Sequence, residues 1–294
     1  MDSKLSDFLQ RAEQVLARIE PWLPQVREPI DWSKSYAARW REDRSGGFLQ
    51  AVEVKLDLSF DDLVGIDRQR ELLAENTRQF LHGLPANHVL LWGSRGTGKS
   101  SLIRALLAQH AQEGLRLIEV ERDHLGALPS IVEGLGKLPQ RFVVFCDDLS
   151  FESGESDYRV LKSVLDGSLE QAPDNVLLYA TSNRRHLVPE YASDNTAGKV
   201  IDGELHVGEA VEDRIALSDR FGLWLSFYPF SQEQYLNVVR QWITTLAERA
   251  ELQWQWDDTL AIEAVRWATA RGNRSGRAAY QFARHWVGQA LLLG

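Results

Sequence analysis

The chain has 294 residues and a net charge of −9, and its composition, 44% hydrophobic and 26% charged, predicts a globular protein with a large core and a smaller attachment. The single cysteine excludes an internal disulfide and fits a reducing cytoplasm. The sequence contains no run of about 18 apolar residues, so it predicts no membrane span, and its scattered histidines show no metal-ligand spacing. No segment is strongly basic, which weakens the case for a protein that grips the nucleic-acid backbone.

The N-terminal part of the chain combines a predicted helix with an aromatic segment. Apolar residues at helical spacing predict a helix over residues 6–20, and prolines follow it. Residues 32–44 mix aromatic and arginine side chains, so they form either an arm that binds nucleic acid or a partner, or an extension that packs on the core. We favour packing because acidic residues dilute the positive charge. The aromatic residues expected to pack are Trp32, Tyr36 and Trp40. Residues 1–60 are therefore set apart as a helical and aromatic extension.

The residues from Gly93 to Ser100 read G-S-R-G-T-G-K-S and match the phosphate-binding motif G-x-x-x-x-G-K-[ST]. The apolar residues 89–92 precede it as a predicted buried strand, and a helical pattern follows it. The glycines allow left-handed backbone and a close approach to phosphate, while the N-terminus of the helix attracts the anion. We expect Lys99 to reach the β- and γ-phosphates and the Ser100 hydroxyl to bind Mg²⁺. The predicted nucleotide-binding residues of this loop are Gly93, Ser94, Arg95, Gly96, Thr97, Gly98, Lys99, Ser100 and Ser101.

Polar side chains follow two other predicted strands. Residues 142–146 form a continuous apolar run, typical of a central parallel strand, and Asp147 and Asp148 come directly after it. We predict that Asp147 holds Mg²⁺, directly or through water, because open α/β sheets place ligand chemistry at the carboxyl ends of their strands. Asn183 ends the strand predicted over residues 175–183. It either positions the attacking water beside Asp147 or simply forms a turn.

The rest of the chain alternates strands and helices before becoming wholly helical. The remaining predicted strands are 115–120 and 223–227, and the predicted helices are 68–82, 129–138, 158–169, 231–250, 258–270 and 276–293. Residues 190–219 are acidic, with a hairpin predicted about the Asp202-Gly203 turn, and they are either a partner surface or simply solvated. This order predicts an α/β fold over residues 61–228, a P-loop three-layer α/β/α arrangement with a parallel sheet. A small all-helical lid domain over residues 229–294 follows.

The order of these motifs resembles that of the AAA+ ATPases, from about Asp61 to Gly294. That order is a P-loop, a strand ending in Asp-Asp, a strand ending in Asn, and a helical C-terminal lid. More narrowly, the sequence resembles an uncharacterised bacterial AAA+ family that is catalogued as a domain of unknown function. The segments that carry the narrower resemblance are residues 65–69, 145–152, 218–225 and 275–279.

The resemblance implies roles for several residues of this chain. Gly65 and Ile66 match the segment that lies against adenine in AAA+ proteins, while Lys99 and Ser100 match their Walker A motif. The Walker B magnesium ligand is matched by Asp147 and the sensor 1 residue by Asn183. The preference for ATP over GTP follows from the resemblance alone, because no residue of the sequence indicates it.

Two arginines resemble residues that act on the γ-phosphate. Arg220 resembles the arginine finger of the branch-migration motor subfamily, which acts on the nucleotide of the neighbouring subunit; the alternative is a surface salt bridge with Asp219. Arg277 resembles the sensor 2 arginine, which reaches from the lid to the γ-phosphate. Arg274 is the less favoured candidate for that role.

The sequence departs from the AAA+ pattern in two places. Many AAA+ motors have glutamate after the Walker B aspartate as the base that polarises water, whereas Asp148 stands there in this chain. Asp148 acts through a slightly shifted water, or Glu152 serves instead, and hydrolysis is expected to be slow in either case. The predicted pore loop, residues 121–126, lacks an aromatic residue, which counts against a protein-threading unfoldase.

These patterns leave more than one function open. The favoured hypothesis is an oligomeric AAA+ ATPase, a ring or open ring of identical subunits, that binds ATP and Mg²⁺ and remodels a protein client. The alternative is an ATP-dependent switch or loader with negligible hydrolysis, which the departure at Asp148 motivates. A DNA-handling motor is a weaker alternative, because it rests on the Arg220 resemblance and the charge distribution does not support it.

Overall fold

The computed structural model describes residues 10–11, 13–15, 28–149, 156–166, 173–183, 199–201, 204–206 and 218–293. Its strands are β1 (Ala37–Asp43), β2 (Gly46–Val52), β3 (Val89–Gly93), β4 (Leu115–Glu119), β5 (Arg141–Cys146), β6 (Val176–Ser182), β7 (Lys199–Ile201), β8 (Glu204–His206) and β9 (Leu223–Phe227). The labelled helices are α1 (Asp67–Leu81), α2 (Lys99–His110), α3 (Leu128–Gly136), α4 (Ser156–Asp166), α5 (Gln232–Arg249), α6 (Asp258–Ala270) and α7 (Gly276–Leu293). The strands predicted over residues 89–92, 115–120, 142–146, 175–183 and 223–227 are confirmed.

One seven-stranded sheet, ordered β2-β1-β4-β5-β6-β3-β9, forms the centre of the molecule. All its neighbouring strands are parallel except β1 and β2. Alternate residues of each central strand therefore enter two different cores. The core on one face contains Leu73 of α1 and Leu102 of α2, and the core on the other face contains Ile131 of α3 and Leu161 of α4. The predicted three-layer arrangement is confirmed.

The N-terminal segment contributes β1 and β2, two strands that the sequence analysis does not predict. They form an antiparallel hairpin, and β1 pairs in parallel with β4, so the sheet is mostly parallel rather than wholly parallel. Trp32 is buried in the core that contains Ile131, and Trp40 packs against the same core, partly buried. Tyr36 packs, partly buried, against the core on the other face of the sheet. The packing interpretation of this segment is thereby supported, and residues 37–52 belong to the same sheet as the phosphate-binding loop.

Three helices follow the sheet and enclose a third hydrophobic core, which includes Tyr235, Ala264 and Phe282. The predicted capping box of the first of these helices, α5, is present. The Gln234 backbone N–H donates a hydrogen bond to the Ser231 hydroxyl, and the Ser231 backbone N–H donates to Oε1 of the Gln234 side chain. The predicted all-helical C-terminal region is therefore confirmed.

Two predictions fall partly on undescribed residues. Of the helix predicted over residues 6–20, only residues 10–11 and 13–15 are described, and these are helical. Within the acidic segment 190–219, β7 and β8 form an antiparallel pair in which Ile201 is the partner of Glu204, so the predicted hairpin is confirmed. Most of the segment, together with Glu152, lies outside the described residues.

Candidate nucleotide-binding and catalytic site

The phosphate-binding loop starts where β3 meets the end of β9. The Ser94 backbone N–H donates a hydrogen bond to the Phe227 carbonyl over 2.9 Å. Gly93 has a φ of 130°, and a Cβ there would lie 1.9 Å from that same carbonyl oxygen. A side chain at Gly93 is therefore excluded both by the backbone conformation and by the neighbouring strand.

Lys99 is held inside this loop by three oxygen atoms. Its Nζ donates to the carbonyls of Gly93 and Ser94, each over 2.8 Å, and to Oδ1 of Asn183 over 3.3 Å. Burial lowers the pKa of Lys99 to about 8, and the carboxylates of Asp148 and Asp147 oppose that shift. The ammonium is thus placed in the loop that would surround phosphate, close to both carboxylates.

Ser100 and Asp147 meet directly at the carboxyl edge of the sheet. The Ser100 hydroxyl donates to Oδ1 of Asp147 over 2.7 Å, and the Thr181 hydroxyl donates to the same oxygen. The described residues contain no group of three or more His, Cys, Asp or Glu side chains that could hold a metal by themselves. Mg²⁺ usually binds one or two protein oxygens and completes its shell with water and phosphate oxygens. The Ser100 and Asp147 oxygens, beside a phosphate-binding loop, fit that requirement.

Asp148 adopts an uncommon backbone conformation beside this pair. Its φ of 54° lies in the left-handed region, and its N–H donates to the Thr181 hydroxyl over 2.8 Å. One carboxylate oxygen accepts a hydrogen bond from Nδ2 of Asn183, and the other lies 3.7 Å from the guanidinium of Arg95. The structure therefore brings Asp147, Asp148 and Asn183 together at one edge, as the strand-end prediction expected.

A cavity of about 750 Å³ unites these residues with the helical C-terminal region. It is lined on the loop side by Arg95, Gly96, Thr97, Gly98, Lys99, Ser100 and Ser101. Arg277 lines it from the helical side, and Ile66 lines it next to the loop. Gly65 is a turn residue with a φ of 80° and does not line the cavity.

The cavity is partly lined by aromatic side chains, which the sequence pattern does not predict. Phe230, Trp242 of α5 and Tyr280 of α7 line it, and the rings of Trp242 and Tyr280 meet edge to face with centroids 4.7 Å apart. Helical spacing alone cannot distinguish Trp242 and Tyr280 from core residues, because their positions in the cavity depend on how two different helices pack together. Apolar walls next to a polar loop suit a ligand with a flat ring and a charged tail.

The helical region touches the loop through its backbone. The Arg277 N–H donates to the carbonyl of Gly96 over 3.2 Å, and a Cβ at Gly276 would lie 3.2 Å from that oxygen. Arg277 is therefore anchored at the loop, with its side chain exposed in the cavity. Arg274 is absent from the cavity lining, and its carbonyl accepts a hydrogen bond from Phe230.

Arg220 lies outside the cavity, apart from the other predicted site residues. Its side chain is 23% exposed and pairs with Asp166 at the end of α4. The sequence indicates only the adjacent Asp219 as an ion-pair partner for Arg220, because residues that are distant in the chain cannot be paired from sequence. The structure thus separates Arg220 from the phosphate-binding loop of its own chain.

The sheet order, the phosphate-binding loop and the helical region together define a P-loop fold of the AAA+ class. The chain belongs to the family described as "Protein of unknown function (DUF815)", whose model matches residues 33–290. None of the curated proteins matches the chain. In the described residues, no helix is both long enough and apolar enough to cross a membrane.

Solved structures with a similar fold include three AAA+ proteins. A mutant of RuvB from Thermotoga maritima is 15% identical with a TM-score of 0.53, covering 80% of this chain and 66% of that one. ORC1 of Aeropyrum pernix, solved with DNA, is 19% identical with a TM-score of 0.50, covering 74% and 58%. PCH-2 of C. elegans is 19% identical with a TM-score of 0.50, covering 78% and 65%. The chain spans less than two thirds of the length of each of these relatives.

Proposed function

We propose that this protein is a Mg²⁺-dependent ATPase of the AAA+ type that works as a homo-oligomer and remodels a protein client. The observation that carries the proposal is the convergence of Lys99, Ser100, Asp147, Asp148 and Asn183 at one end of a cavity that Arg277 completes. Lys99 and Ser100 begin α2, directly after the loop that follows β3, while Asp147 and Asp148 follow β5 and Asn183 follows β6. The parallel sheet brings the carboxyl ends of these strands to one edge.

Each side chain has a task that its contacts suit. Lys99 binds the β- and γ-phosphates, and Arg277 reaches the γ-phosphate from the helical side. Ser100 and Asp147 would hold Mg²⁺, which when bound neutralises charge on the phosphate oxygens. Asp148 accepts a proton from the attacking water, while the Asn183 amide orients that water and the carboxylate.

The oligomeric part of the proposal rests on Arg220. An arginine outside its own cavity contributes to phosphoryl transfer only by entering the cavity of a neighbouring subunit. Its Asp166 partner keeps the guanidinium in one place on the surface near the end of α4. A protein client is favoured over nucleic acid because the net charge is −9. A cytoplasmic location remains a prediction from the single cysteine.

One observation favours a second candidate function, an ATP-dependent switch with negligible hydrolysis. Asp148 has a shorter side chain than glutamate, and its carboxylate is already engaged by Asn183 and faces Arg95. If this arrangement persists with nucleotide bound, the protein holds ATP without polarising water effectively.

The test measures ATP hydrolysis against protein concentration for the wild type, Lys99→Ala, Arg220→Ala and an equimolar mixture of the two variants. We expect specific activity to rise with concentration and to be lost in each variant. The mixture should recover roughly a quarter of wild-type activity, because about a quarter of randomly formed interfaces combine both intact residues. Arg266→Ala, an exposed arginine of α6, is the matched control and should behave as wild type.

The other outcomes separate the alternatives. Activity that persists in Lys99→Ala contradicts the proposal altogether. Activity that is independent of concentration and of Arg220 indicates a monomeric ATPase. Tight ATP binding without turnover in the wild type indicates the switch.

A further inference from the structure

The Thr181 hydroxyl is the one side-chain group that contacts both neighbouring aspartates among the described contacts of this site. It donates to Oδ1 of Asp147 and accepts the N–H of Asp148 over 2.8 Å. Thr181 is only 2% exposed, near the end of β6, one strand away from the two aspartates. A hydroxyl has one proton to donate, and the Thr181 hydroxyl donates it to Asp147 while its oxygen accepts the N–H of Asp148.

This contact bears on the conformation of Asp148. L-residues rarely adopt positive φ, and although aspartate does so more readily than most, the conformation still costs free energy that contacts around Asp148 must offset. The Thr181 hydroxyl binds the Asp148 N–H, and the Thr181 carbonyl accepts the N–H of Leu149 over 2.7 Å. Two consecutive amides of the turn are therefore fixed by a single residue of the next strand.

The fixed turn determines where the short carboxylate of Asp148 lies. In this conformation one oxygen of Asp148 meets Nδ2 of Asn183, two residues after Thr181 on the same strand. Thr181 thus holds the turn at one point and Asn183 holds the carboxylate at another. The same hydroxyl shares Oδ1 of Asp147 with Ser100, and Oδ2 of Asp147 receives no hydrogen bond in the described part of the chain.

We propose that Thr181 is a positioning residue: its hydroxyl sets Asp147 for metal binding and holds Asp148 in the left-handed turn that aims its carboxylate at the attacking water. This inference rests on the proposed ATPase function. Partners that orient metal ligands and catalytic groups commonly contribute ten- to a hundredfold in activity or metal affinity when they are removed. Thr181 therefore contributes to the rate of the reaction by positioning Asp147 and Asp148, although it does not act on the phosphate itself.

The test compares Thr181→Val, which keeps the shape and removes the hydroxyl, with Thr181→Ser, which keeps the hydroxyl. The matched control is Thr77→Val, a buried threonine whose hydroxyl binds Leu73 and Tyr179 and no carboxylate. We expect Thr181→Val to lower kcat about ten- to a hundredfold with KM changed less than about threefold. Thr181→Ser should retain most of the turnover, and Thr77→Val should match the wild type.

A second readout does not require turnover. The affinity for a fluorescent ATP analogue is measured in EDTA and with Mg²⁺, and the gain caused by Mg²⁺ is compared between variants. The gain should shrink about tenfold in Thr181→Val and stay unchanged in Thr181→Ser and Thr77→Val. If Thr181→Val loses its native circular dichroism, Thr181→Ala and Thr181→Cys replace it in both measurements.

The two proposals fail separately. A wild-type protein without turnover contradicts the ATPase proposal, while the Mg²⁺ gain still tests Thr181. An active wild type with unchanged kcat and unchanged Mg²⁺ gain in Thr181→Val overturns the inference. Equal impairment of Thr181→Ser and Thr181→Val also overturns it, because the hydroxyl would then be irrelevant.

Discussion

At the scale of single residues, the absence of a side chain at Gly93 allows the phosphate-binding loop to lie close to the neighbouring strand, β9. Gly93→Ala places a methyl group 1.9 Å from the Phe227 carbonyl oxygen at a φ of 130°. We expect the substitution to lower the free energy of unfolding by at least about 3 kcal/mol and to abolish ATP binding, because backbone atoms cannot yield as a flexible side chain can. Urea unfolding and equilibrium binding of a fluorescent ATP analogue measure the two effects.

The control for this prediction is another glycine with open surroundings. Gly134 lies in α3, and a Cβ there meets nothing within 4 Å. Gly134→Ala should raise the free energy of unfolding by up to about 1 kcal/mol, because alanine is the better helix former. Equal effects of the two substitutions would contradict the steric explanation.

One histidine, His88, should make the stability of the protein depend on pH in the acid range. Burial lowers the pKa of His88 to about 4, against 6.5 for an unperturbed histidine, and its Nδ1 accepts the N–H of Leu178 over 3.0 Å. Between these pH values the unfolded chain binds the proton more readily than the folded chain. The contribution of His88 to the free energy of unfolding is therefore complete above pH 6.5 and is lost as the pH falls toward 4. The loss attributable to His88 is at most about 3 kcal/mol.

The measurement is urea unfolding of the wild type and His88→Asn between pH 7 and 4. Asparagine keeps an acceptor and does not titrate, so the variant should lose less stability on acidification. His82→Asn, at an exposed position, is the control and should follow the wild type. Parallel curves for the wild type and His88→Asn would refute the assignment.

At the scale of elements, one buried arginine attaches the N-terminal segment to the sheet. Nε and Nη2 of Arg116 donate to the Trp32 carbonyl over 2.9 and 2.6 Å, and Nη1 donates to the carbonyls of Ala111 and Leu115. Its guanidinium also lies over the Tyr36 ring, 5.0 Å from the centroid. Burial lowers the pKa of Arg116, and the carbonyls replace the water it has lost.

Arg116→Gln should therefore loosen the N-terminal strands without unfolding the helical region. We expect a loss of about 2 to 3 kcal/mol in the free energy of unfolding, because several buried carbonyls lose their donor. Hydrogen exchange should rise in residues 37–52 and stay unchanged in α5 to α7. Arg249→Gln, at an exposed position of α5, is the control, and a uniform rise over the whole chain would contradict the local role of Arg116.

The elements nearest the phosphate-binding loop could be predicted because their signals are local. The apolar run before Gly93, the strand that ends in Asp147 and the capping box at Ser231 each occupy a few consecutive residues, and the structure has a strand or helix at each. β1 and β2 could not be predicted in this way, because charged residues interrupt the apolar pattern of β1 and two glycines and a glutamine interrupt that of β2. β1 pairs with β4, a partner far away in the chain, and β2 pairs with β1.

The contacts of the candidate site could be predicted only in part. The proximity of Asp147 and Asn183 follows from strand ends in a parallel sheet. Thr181, Trp242 and the Asp166 partner of Arg220 depend on distances between separate elements, which no short pattern contains. The roles of all these residues remain predictions, and the proposed substitutions test those of Thr181 and Arg220.

At the scale of the whole molecule, the cavity lies where two independently packed parts meet. The sheet with its helices has two cores, the C-terminal helices have a third, and the Arg277 N–H bound to the Gly96 carbonyl joins them. A nucleotide in the cavity would contact both parts at once. Small rotations of the helical region therefore alter the position of Arg277 relative to the phosphate-binding loop, and the proposed remodelling of a client requires a change of this kind.

The hydrogen bond between Ser94 and the Phe227 carbonyl also bears on how the protein is synthesised. The loop motif leaves the ribosome long before β9, yet the start of the loop is hydrogen-bonded to the last residue of that strand. A nascent chain that ends before Phe227 carries the whole glycine-rich motif without the surface against which Gly93 fits. The growing polypeptide should thus acquire nucleotide affinity late, after translation has passed most of the coding sequence.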